Sequence, residues 1–127
     1  MYELKVETDF AAAHQLTMVG EKCENLHGHN WKVEVIVAGE TLDEGGVLMD
    51  FGIIKKHVRA VMETLDHKFL NELEFFGNGT PPSSENIATY IARALIDKID
   101  NPAVRISRVS AWESKNACAT YIPYKWF

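Results

Sequence analysis

One thiol and two imidazoles fall within seven residues of this chain, Cys23-Glu-Asn-Leu-His-Gly-His29. These side chains bind zinc and move protons near neutral pH. Three arrangements would use them: a closed structural metal site, a catalytic metal with a separate base, or ordinary residues at a turn. His27 and His29 are two apart, so on a strand both point to one face, and Gly28 between them lets the backbone come close. A catalytic zinc site takes three protein ligands and keeps one position open. His14, on a neighbouring strand, completes a set spaced H-x12-H-x-H. Cys23 is then either a fourth ligand that closes the site or a thiolate base beside the open position, its pKa lowered from about 8.5 by the cation. The local sequence also allows a small apolar thiol in a turn.

Further along the chain, Asp66-His67 follows a helical pattern. A carboxylate can orient an adjacent imidazole, although a helix C-terminal charge beside a surface acid is the reading that local sequence favours. Glu113 shares an apolar strand rail with Val109 and Ala111, where a carboxylate needs a partner. A flat ligand edge with two N–H donors would supply one. Glu85 reads as a first-turn acid favoured by the helix dipole and as a possible ligand contact. His57, beside Lys55 and Lys56, reads as solvated, and Cys118 as packed.

The elements that must position these groups follow from periodicity. Residues 2 to 14 alternate, with Tyr2, Leu4, Val6, Phe10 and Ala12 on one rail and Glu3, Lys5, Glu7 and Asp9 on the other; His14 ends the apolar rail. Residues 27 to 38 repeat the pattern with Trp31, Val33, Val35 and Val37, and His27 and His29 lie on that apolar rail. A turn over 39 to 46 returns as a strand over 47 to 51, and Asp50 can cap a helix over 52 to 65 built on Ile54, Val58, Val61 and Leu65. A long connection over 71 to 83 caps a second helix carrying Ile87, Ile91, Ala94, Leu95 and Ile99. Strands over 104 to 113 and 118 to 124 finish the chain. The order predicts a single α+β domain, 1 to 127, with an antiparallel β-sheet and two helices on one face.

Composition sets the class. The 127 residues are 46% hydrophobic and 24% charged, with no apolar run near the roughly 18 residues of a membrane span. The opening MYELKVETDF has no signal-peptide core, so a cytoplasmic protein with no membrane partner is expected. A net charge of −5 argues against a nucleic-acid coat. Two cysteines cannot make a disulfide framework and read as free thiols.

Six motifs together resemble the 6-pyruvoyl-tetrahydropterin synthase family, and most closely its bacterial 6-carboxy-tetrahydropterin branch in queuosine biosynthesis. They are Phe10-Ala-Ala-Ala-His14, Cys23-Glu-Asn-Leu-His-Gly-His29, Met49-Asp-Phe51, Leu65-Asp-His67, Pro82-Ser-Ser-Glu-Asn86 and Trp112-Glu-Ser114. The resemblance implies Zn2+ on His14, His27 and His29, Cys23 as base, His67 oriented by Asp66 as its acid/base partner, and Glu113 as anchor of a pterin ring. It implies 7,8-dihydroneopterin triphosphate as substrate, with side-chain cleavage to 6-carboxy-tetrahydropterin and acetaldehyde, or retention as a diketone in the pyruvoyl branch. Three residues separate Cys23 from His27, as in the carboxy branch. The resemblance also implies a tunnelling fold, in which trimeric barrels form by oligomerisation and stack as a homohexamer. Lys22, Lys32, Arg105, Arg108 and Lys115 are candidates for holding the triphosphate. A reading of another class is a non-catalytic, zinc-stabilised binding module. The two roles of Cys23 separate experimentally: a Cys23→Ala protein that keeps its zinc and fold while losing turnover identifies a base, whereas loss of zinc and of cooperative unfolding identifies a ligand.

Overall fold

The computed structural model of the protein describes residues 1–16, 26–77 and 79–123; Cys23 and Lys22 lie outside the described residues. Two long strands, β1 (Tyr2–His14) and β2 (His27–Gly39), pair antiparallel along their whole length, from Tyr2 opposite Gly39 to His14 opposite His27. Their alternation becomes burial: Val6, Phe10, Ala12 and His14 point inward from β1, and Trp31, Val33, Val35 and Val37 from β2. Strand β4 (Val104–Ser114) pairs with the other edge of β2, and β5 (Ala117–Tyr121) with β4.

Helix α1 (Phe51–Leu65) begins where the side chain of Asp50 accepts a hydrogen bond from the Gly52 N–H at 2.7 Å. Such a cap satisfies one of the orphan donors of the first turn. Helix α2 (Ser84–Lys98) starts in the same way, with Ser83 Oγ accepting from the Asn86 N–H. Ile54, Val58, Val61, Met62 and Leu65 of α1 and Ile87, Ala88, Ile91, Ala92 and Leu95 of α2 join the inward strand residues in one apolar cluster. Both helices therefore cover the same face of the sheet. No helix among the described residues is long and apolar enough to cross a membrane.

The structure corrects three readings of the sequence. Residues 47 to 50 are not a strand: β2 is already flanked by β1 and β4, so no free edge remains for them to pair with. Asp43 instead closes the preceding turn, its carboxylate accepting from the Gly45 and Val47 N–H groups, and Leu48 and Met49 pack inward. The remaining strand is the two-residue β3 (Lys68–Phe69), which follows α1 and runs parallel to β1 beside Ala12 and Ala13. The sheet order is β3-β1-β2-β4-β5, so the sheet is mixed and not wholly antiparallel. Cys118 is exposed, not packed: it pairs with Trp112 on β5, an edge strand, where the core residue Ala111 is instead matched by Ala119.

The connection from β3 to α2 contains two short 3-10 turns, Leu70–Glu72 and Glu74–Phe76, which bury Leu70 and Phe76. At the far end of β2, Gly39 makes the tightest approach: a Cβ there would lie 2.5 Å from the Ala103 carbonyl oxygen and 2.6 Å from Leu48 Cδ1. One contact is backbone, so it cannot be relieved by a rotamer change. Gly39→Ala is expected to lower the unfolding free energy by about 1–3 kcal/mol in urea titration, and wild-type stability in that variant would show that the approach is not tight.

Candidate metal centre

Register brings the donors together. His14 and His27 face each other across β1 and β2, and His29 lies opposite Ala12, two residues further along the same face. His14 Nε2 and His27 Nε2 are 3.0 Å apart. Glu113 Oε1 lies 3.3 Å from His29 Nε2, 3.7 Å from His14 Nε2 and 3.9 Å from His27 Nε2. All four donor atoms fall within 4.8 Å of one another.

His14 is fully buried, and its Nδ1–H donates to the Pro82 carbonyl at 2.8 Å. That bond leaves the Nε2 lone pair of the neutral ring facing the cluster, the arrangement in which a backbone carbonyl orients a metal-binding imidazole. Pro82 was legible only as part of the helix-capping segment, because a backbone carbonyl acting on a distant ring has no signature in the sequence.

Glu113 reaches the cluster through an irregularity in pairing. Along β4 and β5, Trp112 pairs with Cys118 and Ser114 with Ala117, so Glu113 is an extra residue on β4. Such a bulge re-aims a side chain at the end of a ladder. Its second oxygen lies 3.4 Å from Ser84 Oγ, at the start of α2. The sequence marked Glu113 as a carboxylate wanting a partner; the structure adds that three imidazoles surround its carboxyl.

The cluster fits a metal ion. Four donors held by roughly 2.1 Å bonds around a tetrahedral zinc stand about 3.4 Å apart; here the His14–His27 pair and the three contacts of Glu113 run from 3.0 to 3.9 Å, and all four donor atoms lie within 4.8 Å of one another. Three nitrogens and one oxygen are also donors that zinc accepts.

Asp66 and His67 form a second unit. Asp66 caps the end of α1, its N–H donating to the Met62 carbonyl. One carboxylate oxygen accepts from the Ala11 N–H at 2.8 Å, and the other lies 2.9 Å from His67 Nδ1. His67 adopts the left-handed backbone conformation, φ 59°, and its own N–H donates to the Ala11 carbonyl. Its ring is 82% exposed and lines an open hollow of about 560 Å³ together with Ala11, Ala13, Gly28, His29 and Asn30. His29 borders this hollow as well, whereas Ala11, Ala13 and Asn30 alternate with the inward residues and face away from the four donors.

The other expected site residues are placed differently. Glu85 is exposed in the first turn of α2 and is not one of the four donors. His57 lies within α1, half-buried. Of the candidate phosphate cations, Lys32 is within ion-pair distance of Glu7 and Glu34, and Arg108 of Glu3.

A family model described as 6-pyruvoyl tetrahydropterin synthase matches residues 3–123. The chain belongs to this family. It is similar to a 6-carboxy-5,6,7,8-tetrahydropterin synthase of Synechocystis, 38% identical over 72% of each chain. A dihydroneopterin monophosphate aldolase of Pyrococcus furiosus is also 38% identical, over 82% of each. Among solved structures, the 6-pyruvoyl tetrahydropterin synthase of Caenorhabditis elegans superposes with a TM-score of 0.86 at 29% identity, covering 97% of this chain and 96% of its own.

The Asp66 carboxyl is held below the usual carboxylate range, first by the Ala11 N–H and further by the adjacent His67. A folded pKa below the unfolded one means that its contribution to stability is fully present above about pH 4 and lost as pH falls through the folded value. The stability difference between wild type and Asp66→Asn should therefore hold constant above about pH 5 and shrink below about pH 4. A difference that stays constant down to pH 2 in urea titrations would show that Asp66 is not selectively stabilised as the anion.

Proposed function

We propose that the protein converts 7,8-dihydroneopterin triphosphate and water to 6-carboxy-5,6,7,8-tetrahydropterin, acetaldehyde and triphosphate, with Zn2+ on His14, His27 and His29, in 7-deazapurine biosynthesis toward queuosine. The observation that carries this reading is the convergence of three imidazole nitrogens on one carboxylate oxygen. Relatives named 6-carboxy-5,6,7,8-tetrahydropterin synthase support the choice of product.

Bound zinc supplies a positive charge that makes hydroxyls and adjacent C–H groups of the substrate side chain more acidic. The remaining work falls to the chain's own residues. Cys23 takes a proton from the side chain, and His67, oriented by Asp66 at 2.9 Å, donates and accepts protons as its acid/base partner. Glu113, 38% exposed where His14 is fully buried, is the donor able to turn from the cluster and accept N–H bonds from the flat edge of the pterin. Glu85 is a further substrate contact in this reading. The sheet leaves β3 with β1 at one side and β5 at the other as edges, and pairing such edges between copies would close a trimeric barrel, two of which stack as a homohexamer.

The aldolase among the relatives favours testing a second reading, cleavage of dihydroneopterin monophosphate. Both substrates are incubated with the zinc-loaded protein and the products identified by mass. Carboxy-tetrahydropterin with acetaldehyde supports the proposal; a retained diketone side chain assigns the pyruvoyl product, and turnover of the monophosphate alone assigns the aldolase. Zinc bound with neither substrate consumed leaves the non-catalytic binding module. Zinc at a hundred times its Kd should also raise the unfolding free energy by about 2.7 kcal/mol, and His27→Ala should abolish that gain.

A further inference from the structure

Against two of the four donor residues, His14 and His29, lies Trp31, which has no accessible surface. Its indole is stacked on Phe10, with ring centroids 6.1 Å apart and planes 8° from parallel. It also stands nearly perpendicular to two of the cluster imidazoles, His14 at 5.1 Å and 84°, and His29 at 5.3 Å and 77°. Among the described residues its Nε1–H has no hydrogen-bond partner. A buried indole usually finds one, and leaving it unpaired costs about 1–3 kcal/mol that phenylalanine at the same place would avoid. The position therefore uses the size and flatness of the two-ring system.

What that plate touches is specific. His14 and His29 come from different strands, yet both bear on the same indole, and their rings are 5.1 Å apart. His14 has the Pro82 carbonyl as a second restraint. An imidazole whose rotamer is fixed before the ion arrives loses less entropy on binding, so support from beneath becomes metal affinity.

We propose that Trp31 is a positioning residue for the metal centre: its indole sets the ring orientations of His14 and His29 so that their Nε2 atoms converge with that of His27. The inference rests on the metal-binding reading of the cluster and adds to it a residue that donates no ligand atom.

The test compares Trp31→Phe and Trp31→Leu with Val33→Ala. Val33 is also fully buried and lies two residues along on the same face of β2, but it makes none of the ring contacts to the cluster. Zinc affinity is measured by competition with a chromophoric chelator, and the stability of the metal-free proteins by urea titration. The expected result is zinc binding roughly tenfold weaker in Trp31→Phe and weaker still in Trp31→Leu, with Val33→Ala destabilised yet binding zinc as wild type does. Wild-type affinity in Trp31→Phe overturns the inference, as does an equal loss in Val33→Ala, which would assign the effect to general core stability. If Trp31→Leu does not fold, the comparison of Trp31→Phe with Val33→Ala decides alone. A wild-type protein that binds no zinc overturns the metal reading and this inference together, whereas wild-type binding with unaltered Trp31→Phe overturns only the inference.

Discussion

The pairing register of β1 on β2 is the constraint from which the site follows. In that register Val6 meets Val35, Phe10 meets Trp31, Ala12 meets His29 and His14 meets His27. A slip of one residue would turn the whole inward rail of one strand to the other face. A slip of two would keep the faces but set Phe10 against Val33, breaking its stack with Trp31 and placing His14 opposite His29. The apolar stretch selects the register because only one alignment buries it well, and the imidazoles at the end of the same two strands are carried into place with it. Folding energy from residues that touch no ligand thus supplies the geometry of the donors.

That arrangement places polar groups where the strand pattern calls for apolar ones. A fully buried imidazole such as His14 is unfavourable unless both ring nitrogens are engaged. Here one nitrogen faces the Pro82 carbonyl and the other the nitrogen of His27. The first partner comes from the segment leading into α2, whose buried face is in turn packed on the sheet by Ile87, Ile91 and Leu95. The helix cap, the carbonyl and the His14 imidazole are therefore successive links of one chain of contacts, and disturbing the start of α2 reaches the cluster without touching any of its four donors.

The parts of this design that were legible in the sequence are those set by local period. Both long strands, both helices, the caps at Asp50 and Ser83, and the shared face of His14, His27 and His29 depend on alternation or helical spacing within a dozen residues. The misplaced strand over 47 to 51 shows where local reading fails: its short apolar run after a turn is real, but β4, arriving more than fifty residues later, already occupies the edge it would need. Strand β3 is too short to carry any pattern and exists only because β1 offers it an edge. The bulge that turns Glu113 inward is a property of two strands together, since it appears only when the spacing on β4 is compared with that on β5. Trp31 read as an ordinary core residue because nothing local distinguishes an indole that supports imidazoles from one that fills a core.

His67 shows the chain drawing on backbone conformation as well. After α1 the chain must reverse into β3, and the residue that makes the turn is left-handed, a position where glycine is the usual choice. A side chain there is unfavourable by about 1–2 kcal/mol. The fold offsets this with two bonds to one residue of β1, the His67 N–H to the Ala11 carbonyl and the Ala11 N–H to the Asp66 carboxylate. The Asp66–His67 pair is thereby clamped to the strand that three residues later carries His14. Glycine would make the same turn with less strain, but it would leave the hollow beside His29 without an imidazole. A strained, exposed, carboxylate-oriented histidine fixed to the strand that carries His14 is a costly way to build a turn, and in the proposed reaction an effective way to hold a proton-transfer group in a fixed place.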